Sequence, residues 1–557
     1  MIHRAAPGPI ALRRARPRPR GLRRASMAVL HAARCAAALS GVLLCAGPAA
    51  GAEAPHGARP PGVAWFEGEV ADAFGQAQSA GRPVFLYWGA AWCPPCLELK
   101  ATIFKRRDFL ERLKLFVPVY LDGDAAGAQA WGERFHISGY PTVLVLRADR
   151  TELERVSGGM DLARYAEVLD LALGQARPVL ETLAAATADA PGAAPGAMTS
   201  DDCRQLAYNA WALDDSWQQH PEDLGRLAGQ LATAARRCPG ANAIEAARLQ
   251  MTAIHAALTA EAAPLKAGQP PSAALQALLR PVPGILADAG LAPAIGDTLV
   301  HLPAEFFAAA AAAYGAPDRR ATLRARWIAC MDQLAADPRF SAADRLDALR
   351  SKLVAVKALS EPGKIPAPLA REATRRIDGL LAAEHEPYAR ASLVNSALNA
   401  LDVLDDDERA RQILAGEIKT AAHPYYYMAD LGELEEKLGH PDAALDWLAR
   451  SYQTAQGPAT RFQWGVGYVR GLVRMRPRDE AAIRAAALEV LADLDASGDV
   501  HGRNLRSLHR LETSLREWQH GSGHEAVLAT VRQRVQAICG RMPDADPSRA
   551  ACSGFLG

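Results

Sequence analysis

The run Val84-Phe85-Leu86-Tyr87-Trp88, leading within five residues to Cys93-Pro94-Pro95-Cys96, constrains the fold of this chain more than any other stretch. Five consecutive apolar or aromatic residues describe a strand covered on both faces, as in sheets flanked by helices. Such a strand delivers the two cysteines to the end of the sheet. With a helix starting at the first cysteine, unpaired backbone N–H groups and the helix dipole favour its thiolate. The lowered pKa makes Cys93 the nucleophile. Cys96 lies one turn further in, within reach of a mixed disulfide on Cys93, which it resolves. Pro94 and Pro95 suit early helical positions, where a missing N–H costs little.

The flanking segments alternate between strand-like and helix-like patterns, as an α/β domain requires. The pattern predicts helices over 96–104 and 108–114, a strand over 116–121, a helix over 127–135, strands over 142–146 and 152–156, and a last helix over 162–173. Residues 53–180 are therefore expected to form an α/β domain. Residues 181–200 turn to Ala, Gly, Pro and Thr and are expected to be a linker. Beyond Asp201, apolar residues recur at three- and four-residue spacing on Ala- and Leu-rich backgrounds, so 201–557 is expected to be all-helical.

The formal charge of +1 conceals an asymmetry: nine arginines and no acidic residue precede Glu53. Without them, 54 basic side chains face 62 acidic ones, which gives no basis for binding nucleic acid. A basic start, an apolar stretch of about 15 residues and the small residues Ala50, Gly51 and Ala52 describe a secretory signal peptide over 1–52. The expected location is periplasmic or otherwise exported. An uncleaved membrane anchor is the alternative, disfavoured by a run shorter than the ~20 residues that span a bilayer.

Cysteine usage fits export, where disulfides persist. Cys539 with Cys552, and Cys203 with Cys238, are spaced for staples, although each could equally be a small buried residue. Cys330 is then left over. A zinc site at Cys93 and Cys96 would need further Cys or His ligands nearby, and the nearest, His136, is isolated. His255, His423 and His509 lack metal spacing and are expected at the surface. No metal or cofactor is expected, and Tyr425-Tyr426-Tyr427 is expected to be helix packing.

Trp92-Cys93-Pro94-Pro95-Cys96 after an apolar strand, Gly139-Tyr140-Pro141-Thr142 before the next one, and then Gly158-Gly159 together resemble the thioredoxin superfamily. Trp65-Phe66 and the insert Thr102 to Leu113 look most like the branch containing the C-terminal domain of the membrane thiol:disulfide interchange protein. The resemblance implies that Pro141 is a cis proline facing the dithiol, and that Trp92, Tyr140 and Pro141 form the surface met by a client. Two positions depart from it. Tyr87 stands six residues before the nucleophile, where relatives carry a buried Asp, and Leu97 stands where they often have Lys. Glu98 is expected to face water. Further on, Leu431, Gly432, Gly439, Ala444 and Leu448 resemble a tetratricopeptide repeat, with Ala410 and Leu414 matching Ala444 and Leu448 at 34 residues' distance. A degenerate repeat array and an irregular bundle both remain open.

Together these features imply an α/β thioredoxin-like domain followed by a large all-α region. The expected activity is exported thiol:disulfide exchange through Cys93 and Cys96, running reductively on client proteins, with a membrane electron donor and a protein-binding helical region. The alternative is a helical scaffold whose dithiol is structural.

Overall fold

The computed structural model describes residues 59–158, 162–174, 177–188, 198–217, 221–360, 363–519 and 523–557. The leader expected over 1–52, Gly159, and residues 189–197 of the expected linker lie outside them.

Helix α1 (Val70–Ala80), not among the expected elements, buries Val70, Ala73, Phe74 and Ala77 at three- and four-residue spacing. Strand β1 (Val84–Gly89) follows, and all six of its residues are buried, as the unbroken apolar run requires. Helix α2 (Pro94–Ala101) is shorter than expected. The chain leaves α-geometry at Thr102, whose hydroxyl donates to the Glu98 carbonyl at 2.7 Å, and makes a 3-10 turn over Ile103–Lys105. Helix α3 (Arg107–Leu113) and strand β2 (Val117–Asp122) come next. Helix α4 (Ala128–Arg134), strands β3 (Thr142–Leu146) and β4 (Glu152–Ser157), and helix α5 (Leu162–Gly174) complete the α/β part.

The sheet order is β2-β1-β3-β4. Strand β1 is central, parallel to β2 with Tyr87 opposite Tyr120, and antiparallel to β3 with Trp88 opposite Thr142. Its side chains alternate between two cores. Phe85 and Tyr87 join Leu99, Phe109, Tyr165 and Leu169, whereas Leu86 and Trp88 join Phe74, Val119, Leu144 and both cysteines.

Neither core stops at the α/β boundary. The first runs on through helices Val179–Thr187, Ser200–Tyr208, Pro221–Arg237 and Ala243–Ala260. The second takes in Tyr425 and Ala455, with Tyr426 and Trp464 against it. Helix Val179–Thr187 buries Val179, Thr182, Leu183 and Ala186, so ordered packing reaches into the stretch expected to be a linker from residue 181.

From Ser200 onward the described residues are helical, with short 3-10 turns and no strand. Three further apolar cores fill this region. Helices Pro424–Lys437 and Pro441–Thr454 form the hairpin that carries the repeat-like residues. A Cβ on Gly432 would lie 2.8 Å from Leu448 and 3.2 Å from the Ala444 carbonyl, so the two helices meet where the sequence places its smallest residue. Across the region, however, helices run from four residues (Leu291–Ala294) to 20 (Pro317–Ala336), which does not repeat a fixed two-helix unit. Cys203 and Cys238 are joined, as are Cys539 and Cys552, and Cys330 is a buried thiol raised to about 12 by burial. Among the described residues no helix is long and apolar enough to cross a membrane.

Candidate active site around Cys93 and Cys96

Cys93 is the N-cap of α2, with φ −77° and ψ 114°, and Pro94 and Pro95 fill the first helical turn. Its carbonyl accepts from Leu97 N at 3.0 Å and its Sγ from Cys96 N at 3.2 Å. The second contact is the capping geometry that stabilises negative charge on a thiolate. The two cysteines are joined as a disulfide with Cα atoms 5.2 Å apart. The Tyr140–Pro141 peptide bond is cis.

Trp92, Cys93, Cys96 and Tyr140 belong to one buried cluster, with the Trp92 and Tyr140 rings 6.1 Å apart and edge-on. Helical residues close over them. The Tyr426 ring stacks on Trp92 at 5.9 Å, Trp464 meets it edge-on at 5.5 Å, and the Arg503 guanidinium lies 4.9 Å from the Trp92 ring and 4.7 Å from that of Tyr140. Trp92 Nε1 donates to Thr460 Oγ1 at 2.8 Å. That hydroxyl in turn donates to Asp124 Oδ2 at 2.6 Å, while Thr460 N donates to Asp124 Oδ1 at 2.8 Å. Burial raises the Asp124 carboxyl to about 6 despite the two Thr460 hydrogen bonds. Under this cover Cys93 and Cys96 are both 0 % exposed.

Other contacts fix the cover along its flanks. Gln129 N donates to Asp499 Oδ2 at 3.0 Å, Arg503 N to Gln129 Oε1 at 3.0 Å, and Gly502 N to Glu133 Oε2 at 2.7 Å. His501 sits between Asp499, at 2.7 Å, and Asp546, at 2.9 Å; hydrogen bonds to the two carboxylates raise it to about 9. On the other flank α2 packs on helix Pro387–Leu404.

Glu98 does not face water. It turns toward the helical region, its Oε2 is buried without a hydrogen-bond partner, and burial with the nearby Asp344 raises the carboxyl to about 7 against the opposing pull of Ser392 and Ser341. Tyr87, in the position where an acid is usual, is fully buried with its hydroxyl unpartnered, its ring stacked on Tyr120 at 5.2 Å. The titratable group one turn from Cys96 on the same face of α2 is Lys100. It is 4 % exposed, donates to Tyr120 Oη at 3.0 Å, and is lowered to about 8 by burial, with Asp122 opposing.

Of the histidines expected at the surface, only His509 is exposed. Burial lowers His255 to about 4 and also lowers His423. Tyr425 and Tyr427 are core residues. Among the described residues no group of three or more His, Cys, Asp or Glu is placed to hold a metal ion.

Sequence reasoning brings together Trp92, the two cysteines, Tyr140 and Pro141. It misses Asp124, Thr460, Trp464 and Arg503. The signals available for these were slight: a Gly457-Pro458 break before a helix, and an arginine at 503 in an otherwise amphipathic segment.

No curated protein matches the chain. Residues 70–173 match a family model described as a thioredoxin-like domain, the same residues that form the sheet, the dithiol and the cis-proline turn. The chain is therefore a thioredoxin-like α/β domain that carries a joined cysteine pair and continues into a long all-α region.

Proposed function

We propose that the protein is an exported thiol:disulfide oxidoreductase acting on disulfides of other proteins. The observation that carries this reading is the placement of Cys93 as the N-cap of α2, with Cys96 one turn inward. In the reduced protein, the Cys93 thiolate attacks one sulfur of a client disulfide, forming a Cys93–client bond and releasing the other client sulfur as a thiolate that takes up a proton. Cys96, giving up its proton, then attacks Cys93 Sγ. The Cys93–Cys96 bond forms, the second client sulfur leaves with the electron pair, and the client is reduced by two electrons. Trp92, Tyr140 and Pro141 are the residues assigned to client contact. The disulfides Cys203–Cys238 and Cys539–Cys552 support an oxidising compartment, in keeping with a leader over 1–52. A reductive direction fed by a membrane donor is part of the proposal and rests on the resemblance alone.

Insulin reduction by the wild type and by Cys93→Ser tests the reading. Turnover that disappears in the variant supports it, and equal rates remove it. Adducts trapped on Cys93 in Cys96→Ser would name the clients.

One observation favours a second reading, a helical scaffold with a structural disulfide: neither sulfur is exposed. A Cys93–Cys96 disulfide that stays intact under millimolar dithiothreitol, in native buffer, in the wild type and in variants that loosen the helices above it alike would select the scaffold.

A further inference from the structure

An attacking sulfur must approach Cys93 Sγ along the line of the S–S bond, and no atom of either cysteine is open to solvent. Exchange at this site therefore requires movement of the residues above it. Those residues come from the helical region: Tyr426, Thr460, Trp464 and Arg503.

Of the elements that contribute them, helix Pro458–Met475 begins without a cap from its own sequence. Its N-cap is Gly457, which has no side chain to accept the orphan N–H groups of the first turn. Asp124, from the loop after β2, does that work from the other side of the interface, taking both Thr460 N and Thr460 Oγ1. Gly457 is what makes room for it: its φ is +88°, and a Cβ there would run into the Asp124 carboxylate. The same hydroxyl accepts from Trp92, so one side chain ties the helix end to the residue beside Cys93. Closure is also incompletely satisfied, because Trp464 Nε1 is buried without a hydrogen-bond partner and regains one only on exposure to water.

We propose that the helical region is a built-in cover that holds the dithiol shut, and that the Asp124–Thr460–Trp92 hydrogen-bonded chain is the catch that sets how often it opens. This rests on the oxidoreductase reading and adds its regulation: a client gains access to Cys93 by displacing the first turn of helix 458–475. Local opening of this kind differs from unfolding, since it releases one helix end and leaves the remaining cores packed.

The test uses the oxidised full-length protein and dithiothreitol. One thiolate of the reductant attacks Cys93 Sγ, and the Cys93–Cys96 bond breaks with its electron pair on Cys96, which is protonated. The second thiolate then displaces Cys93, leaving two thiols on the protein and a cyclic disulfide on the reductant. Reduction is followed by alkylation and peptide mass, which reads all three disulfides separately. In Thr460→Val, which keeps the side chain's shape and loses both of its hydrogen bonds, reduction of Cys93–Cys96 becomes about tenfold faster. Trp464→Ala produces an acceleration at the same site. Cys203–Cys238, which joins a core without residues of the cover, and Cys539–Cys552, which sits in the core that packs the later turns of helix Pro458–Met475, keep their wild-type rates. Wild-type reduction already as fast as that of the variants overturns the proposal, as does a common acceleration of all three disulfides, which would mean the catch cannot be released without losing the fold. Insulin turnover by the opened variants reports separately on the function: rapid reduction of Cys93–Cys96 without insulin turnover retains the cover and removes the oxidoreductase.

Discussion

The Trp92 indole N–H donates to the hydroxyl of Thr460 at 2.8 Å, joining the residue before the first cysteine to one 368 positions further along the chain. Because Thr460 Oγ1 also donates to Asp124, the three side chains form one hydrogen-bonded unit whose members cannot be removed independently.

Loss of the central member is therefore costly. Thr460→Val leaves the Trp92 donor and one Asp124 oxygen unpaired in a buried setting, and stability falls by about 2 kcal/mol. Urea unfolding should show a lower midpoint. In a cycle with Trp92→Phe the two losses should sum to more than the double variant shows, since each single change breaks the same bond.

Three groups at the junction respond to pH in the same sense. Asp124, at about 6, and Glu98, at about 7, are both raised above the ordinary carboxyl range by burial, and His501, at about 9, is raised above the ordinary imidazole value by its two carboxylates. A folded-state pKa above the unfolded value means stability that is fully present below the unfolded value and lost as pH rises through the folded one. The carboxyl contributions thus disappear between about pH 4 and 7, and that of His501 between about 6.5 and 9. Lys100, lowered to about 8, acts in the opposite direction. Melting temperatures of Glu98→Gln and of His501→Gln, set against the wild type from pH 4 to 9, should be flatter over the lower and the upper window respectively.

Tyr87→Phe removes a buried hydroxyl that has no partner, so it should be neutral or raise stability by about 1 kcal/mol, without slowing insulin reduction. Lys100→Met, by contrast, deletes the cation one turn from Cys96. Thiolate absorbance in the reduced protein should then show the Cys96 transition moved to higher pH, which Tyr87→Phe leaves in place.

The two remote disulfides should differ in weight. Cys539 and Cys552 are 13 residues apart and Cys203 and Cys238 are 35 apart, so loop-closure entropy assigns them about 3 and about 4 kcal/mol. Paired serine substitutions followed by urea unfolding measure both, and a larger loss at 539/552 would contradict the chain-entropy account.

Local patterns were readable wherever the determinant lies within a few residues. The apolar run of β1 needs both of its faces covered, and the cysteine pair needs a helix to begin at Cys93; both hold in the structure. What was not readable depends on partners supplied from far along the chain. Glu98 looks like a solvent-facing helix residue until helix 387–404 is laid over it. Thr460 and Arg503 carry no periodic mark of the dithiol they cover. Residues 181–187 look like linker because they open a stretch dominated by Ala, Thr, Gly and Pro, yet Leu183 and Ala186 close a core whose other half belongs to the sheet.

The distance in sequence between Trp92 and Thr460 has a consequence for biogenesis. Any route that presents the chain from its N-terminus exposes the two cysteines long before the residues that will bury them exist or arrive. At ~5–20 residues per second, the typical pace of synthesis, that interval is some tens of seconds. Whichever oxidation state the pair adopts in that interval is the state over which the helices first close, so the nascent chain's surroundings set the state in which the finished protein starts, until the cover first opens.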